Sequence, residues 1–105
     1  MNDKESSAIS SEGLHAPREN LTKTTLALHQ AIASLMEELE AVDWYRQRAD
    51  DCSDPELKEI LLHNMREEME HASMILEWIR RHDPDFDHEL RDNLFKDGPI
   101  TGQHG

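Results

Sequence analysis

The sequence predicts an all-α protein: two long antiparallel helices and a short C-terminal helix, closing into four-helix bundles by dimerisation. Three observations predict it. Apolar residues recur at helical spacing along two long stretches, a strong helix-start signal separates them after only a few residues, and 105 residues with 36% hydrophobic content leave too little material for a private core. Neither a strand pattern, an internal repeat nor a Gly-rich phosphate loop is present.

Met1 to Pro17 is Ser-rich and aperiodic and reads as a disordered tail. Leu21, Leu28, Ile32, Leu35, Leu39 and Val42 then form a helical stripe, with no Gly or Pro between Arg18 and Asp54. This predicts one helix over about residues 18–51. Ser53-Asp54-Pro55-Glu56 supplies a cap, a first-turn proline and an acid for the positive helix end. The second stripe, Leu57, Leu61, Asn64, Glu68, His71, Ile75 and Trp78, predicts a helix over residues 55–82. Arg80, Arg81 and His82 complement its end, and Asp83-Pro84 stops it. A short third helix is expected from Phe86 to Phe95, ended by Gly98-Pro99. The helical domain thus spans 18–97, with a tail over 98–105. The short connection folds the long helices into an antiparallel hairpin. Two helices cannot enclose a core, so a second hairpin is required.

Composition narrows the function. With 23 Asp+Glu against 11 Lys+Arg and a formal charge of −12, nucleic acid and anionic membranes are poor partners. No run approaches a membrane span, and Met1 to Ser11 lacks the apolar stretch of a signal peptide. Cys52 is the only cysteine, so disulfides are excluded. These features predict a soluble, cytoplasmic protein. An acidic surface suits cations, although many proteins are acidic for solubility alone.

Chemistry concentrates in Glu38 on the first helix and in Glu68 with His71 on the second. Glu-x-x-His sets a carboxylate and an imidazole on one helix face, a donor pair suited to Fe(II), Mn(II) or Zn(II). Di-iron bundles take a Glu from each of two helices and a Glu-x-x-His from each of the other two. This chain encodes half of that set. The motif alone is weak: about one is expected by chance at this composition, and Glu12 with His15 is another. Two features raise Glu68 and His71 above that background. Glu38 and Glu68 both sit against the apolar stripe, where an unpaired carboxylate costs several kcal/mol that a cation removes. Each also lies thirteen residues from the turn, ~20 Å along its helix. Glu37, Glu40, Glu67 and Glu70 have more polar neighbours. Trp44, Tyr45 and Trp78, together with Met36, Met65, Met69 and Met74, read most simply as packing residues.

Glu37-Glu38-Leu39-Glu40-Ala41-Val42-Asp43-Trp44-Tyr45 and Glu67-Glu68-Met69-Glu70-His71, with Asp54-Pro55-Glu56-Leu57, Leu76-Glu77-Trp78 and Gly98-Pro99-Ile100-Thr101, closely resemble the encapsulated ferritins. The resemblance covers about Leu21 to Thr101. It implies a ferritin-like bundle formed by dimerisation and a di-iron ferroxidase centre held by Glu38, Glu68 and His71 of two chains. A ring-like homodecamer carried inside an encapsulin nanocompartment is also implied. Tyr45 would sit beside the centre as a catalytic residue, and Glu37, Glu40 and Trp44 would form a secondary metal site on the route to it, open to Ca or Zn. The resemblance leads one to expect a hydrophobic shell-docking peptide beyond the helical domain, and none is read within the residues up to Gly102-Gln103-His104-Gly105. On this reading four carboxylates neutralise two divalent ions, and oxygen donors favour their oxidation by dioxygen. Two alternatives from other classes are a non-metal helical interaction or cargo module and a rubrerythrin-like di-metal oxidoreductase. The second would need a substrate cavity and usually a full four-helix chain.

Overall fold

In a computed structural model, residues 13–102 are described; most of the expected N-terminal tail, with Glu12, and the final residues of the C-terminal tail lie outside them. Three helices follow in order, α1 (Lys23–Asp51), α2 (Pro55–His82) and α3 (Pro84–Asn93), with no strand among the described residues.

The first helix begins five residues later than its stripe predicts. Arg18–Asn20 forms a separate 3-10 turn, closed by amides of Asn20 and Leu21 donating to the carbonyls of Pro17 and Arg18. Thr22 then caps α1, its Oγ1 accepting from the Thr25 amide at 3.0 Å. The hydroxyl satisfies one of the orphan donors of the first turn and sets the start there. Asp54 does the same for α2, its Oδ1 accepting from Glu56 at 2.9 Å and Leu57 at 3.4 Å. Asp83-Pro84 ends α2 as expected, but it also opens α3, which runs from Pro84 rather than Phe86. The Asp83 carboxylate accepts from the amides of Asp85 and Phe86, and Pro84 fits the first helical position. At the end of α2 the His82 ring donates from Nδ1 to the Trp78 carbonyl at 2.8 Å and stacks on the Trp78 ring, centroids 4.0 Å apart.

α1 packs along α2, and α3 folds against the end of α2. Among the described residues the buried side chains are Ala33, Ala49, Met65, Ala72 and Ile79, of which only Ile79 is both large and fully enclosed. Ile32, Leu39, Leu57, Ile60 and Met74 stay exposed. The radius of gyration is 17.3 Å, against about 13 Å for a compact domain of this length. One chain therefore leaves much of its apolar surface in water, where burial would return ~25 cal/mol per Å². Among the described residues no helix is long and apolar enough to cross a membrane.

Ion pairs fix α3 in place. Arg80 donates to both carboxylate oxygens of Glu77 at 2.8 Å and to Asp87 on α3, which also accepts from Arg91. Hydrogen bonds from Arg80 and then Arg81 hold Glu77 at about 2, and Arg80 likewise lowers Asp87. Because these values are depressed on folding, the clamp contributes fully above the ordinary carboxylate range near 4.5 and is lost as pH falls toward 2. Amide exchange should register this: α3 amides lose protection across that window before those at the centre of α2. Simultaneous loss in both helices would contradict the clamp.

Candidate metal centre

α1 and α2 bring Glu38, Glu68 and His71 together because the capped connection sets the two helices level. Glu38 lies thirteen residues before the last residue of α1, and Glu68 thirteen after the first of α2. One ligand atom from each of the three lies within 4.8 Å of the other two; this is the one such His, Cys, Asp or Glu group found among the described residues. His71 Nδ1 stands 3.0 Å from Glu68 Oε1 and 3.5 Å from Glu38 Oε1. Both carboxylate side chains are about a quarter exposed and the imidazole nearly half.

Electrostatics in the cluster are unbalanced. Glu38 is pushed above its usual range, chiefly by hydrogen bonding with Glu68 and then by burial. Glu68 is lowered, first by the same contact with Glu38 and, working against its burial, by His71. The imidazole is raised, first by its hydrogen bond to Glu68. His71 thus stands between two acids, where a cation would sit. The cluster is not fully satisfied: Glu38 Oε1 is buried and, although His71 Nδ1 stands 3.5 Å away, makes no well-formed hydrogen bond. Such an acceptor normally carries a penalty of ~1–3 kcal/mol, which a metal bond would remove. Two carboxylates and one ring nitrogen are a donor set for a first-row divalent ion, and three donors leave coordination positions open for further ligands.

The other site residues named from the sequence stand apart from this group. Tyr45 is one heptad from Glu38 on α1, half-buried, with the Arg48 guanidinium 5.6 Å from its ring centre. Trp44 is 49% exposed, and the same guanidinium lies 5.9 Å from its ring. Arg48 was not singled out from the sequence, although its spacing of four and three from Trp44 and Tyr45 was a readable signal. Glu37 is exposed and Glu40 half-buried, and no third ligand from this chain joins them in a described cluster. His63 meets Glu67 at 3.9 Å in a loose exposed pair.

A family model described as EncFtn-like matches residues 13–97, most of the chain and all three helices. The chain belongs to the EncFtn-like family. It is 56% identical over 94 residues to the encapsulated ferritin-like protein of Rhodospirillum rubrum, a match covering 90% of this chain and 67% of that one. A ferritin-like protein of Thermotoga maritima is 49% identical over 87 residues, covering 83% of this chain and 76% of that one. Among solved structures, the crystal structure of protein ne0167 from Nitrosomonas europaea superposes with a TM-score of 0.80 at 57% identity. It covers 85% of this chain and 98% of that one. The all-helical fold and the encapsulated-ferritin resemblance read from the sequence both stand.

Proposed function

We propose that this EncFtn-like chain supplies half of a di-iron ferroxidase centre, completed when a second copy brings its own Glu38, Glu68 and His71 to the first. The observation that carries the reading is the three-donor cluster itself, in which Glu38 Oε1 is buried without a well-formed hydrogen bond. An acid left in that state is explained by a cation it awaits. Ferrous iron is the substrate and supplies the electrons that dioxygen takes up. Glu38 and Glu68 of both copies hold the ions and balance their charge, and His71 provides the nitrogen donor once its proton has left. Tyr45, one heptad away, flanks the centre. Glu37, Glu40 and Trp44, on the exposed side of α1, form a weaker secondary cation site toward solvent, one that Ca or Zn can also occupy.

The exposed apolar surface supports association beyond the single chain. We assign the assembly as a homodimer building a ring-like homodecamer. The name of the Rhodospirillum rubrum relative, encapsulated ferritin-like protein, supports residence within an encapsulin shell; we place that shell in the cytoplasm and the oxidised iron in storage within it.

The test is to load the protein anaerobically with Fe(II), admit air and follow near-ultraviolet absorbance. Wild type should oxidise iron well above the rate in buffer, and His71→Ala should fall to that rate. Equal rates for wild type and buffer would overturn the ferroxidase reading, leaving a non-metal interaction module as the simpler account.

A further inference from the structure

Trp44 and Tyr45 follow Glu38 on α1 by six and seven residues, which sets both rings ~10 Å from the ligand cluster along the helix. Acid surrounds them. Asp43 stands beside Trp44, and Glu40 lies one turn before it. Taking an electron from an aromatic ring leaves positive charge, which nearby carboxylates stabilise. By that measure these are easily oxidised rings close to a site that would use dioxygen.

Arg48 opposes this. Spaced four and three residues on, it holds its guanidinium 5.9 Å from the Trp44 ring centre and 5.6 Å from that of Tyr45. Both distances are within cation–π range, so one cation serves two rings. In a chain with 23 Asp+Glu against 11 Lys+Arg, carboxylates are plentiful, and Arg80, Arg81 and Arg91 each pair with one. Arg48 meets rings instead, while the neighbouring Asp43 accepts from Gln47 Nε2 at 3.0 Å. A fixed positive charge at that place repels the charge that ring oxidation would create.

We propose that Arg48 guards Trp44 and Tyr45 against one-electron oxidation, so that the electrons consumed by dioxygen come from ferrous iron and not from the protein. This rests on the ferroxidase reading, which supplies the oxidant. Two Fe(II) ions give two electrons, and dioxygen with two protons becomes hydrogen peroxide. Carrying peroxide on to two waters takes two further electrons and two protons. A second pair of ferrous ions can give those electrons. The rings are the competing source, Tyr45 losing an electron with its phenol proton and Trp44 an electron with its indole proton. Arg48 tips the competition toward iron. It touches no reacting atom and acts through the rings, as a positioning residue.

Trp78 is the internal control. It lies one heptad past His71 on α2, also ~10 Å along its helix from a ligand, and stacks on His82. The experiment compares wild type with Arg48→Gln, which removes the charge, and Arg48→Lys, which keeps it. Each full-length protein receives repeated small additions of Fe(II) in air, and peptide mass spectrometry counts oxidised Trp and Tyr per iron oxidised. Arg48 is exposed, so solvent softens its field, and Arg48→Gln should carry about three- to tenfold more oxidation at Trp44 and Tyr45. Arg48→Lys should stay near wild type, and Trp78 should not change. No increase in Arg48→Gln, an increase that Trp78 shares, or a lysine variant as damaged as the glutamine one would overturn the proposal. In a second arm, azide radicals oxidise the metal-free proteins, and the same order is expected without iron. The two readings fail separately. That order with no iron oxidation above buffer removes the ferroxidase reading alone, whereas iron oxidation with no difference between Arg48→Gln and wild type in either arm removes the guard alone.

Discussion

Glu38→Gln is expected to abolish iron oxidation and, in the metal-free protein, to raise stability. The two effects have one cause. Glutamine keeps the shape of the side chain but removes its charge, so the buried acceptor that lacks a well-formed hydrogen bond no longer bears a carboxylate's desolvation cost. Glu38 is about a quarter exposed, and solvent reduces the gain to ~1 kcal/mol, a rise of roughly 4–8 °C in the thermal midpoint of a domain this size. With iron the sign reverses. Losing a partner that merely orients a ligand typically costs 10–100-fold in metal affinity or activity; losing the ligand itself should cost at least ~100-fold in oxidation rate. Thermal melts without metal and air-oxidation assays read the two halves. A variant less stable than wild type without metal, yet still active, would show that Glu38 belongs to the packing and not to a metal.

Metal is expected to stabilise the protein strongly, and more so at higher protein concentration. A ligand at one hundred times its dissociation constant contributes ~2.7 kcal/mol when only the folded state binds it. In a domain of this size that is a rise of about 10–20 °C. The chain by itself encloses little: among the described residues Ile79 alone is a large, fully buried side chain. If the proposed centre is shared between two chains, the gain should grow with protein concentration as dimers form. Melts with and without Mn(II), over a hundred-fold range of protein, measure it. No shift with metal at any concentration would contradict a shared centre.

Much of this molecule is legible in its sequence because its signals are local. Ser53 to Glu56 marks the connection within a residue, since a capping acid followed by proline has few other uses. That position levels Glu38 with Glu68 and so leads to the cluster. The start of α1 was less legible. Nothing between Arg18 and Asp54 interrupts helical spacing, and the deciding event, the Thr22 hydroxyl accepting from Thr25, competes quietly with continuing the helix. Pro84 reads as a stop, yet with Asp83 it also serves as a start, because proline is welcome in a first turn. A groove between α1 and α2, over Ala27, Ala31 and Ser34, was invisible for another reason. Small residues carry no periodic hydrophobic signal, and their meaning appears only once Met74 and Trp78 stand beside them.

The most direct measurement of the central claim is an anaerobic Fe(II) titration combined with sedimentation of the loaded protein. The account predicts saturation at about one iron per chain in particles of two chains or a multiple of two, following the half-set of ligands each chain carries. Saturation at two irons in a particle of one chain, or no saturable binding, would contradict it.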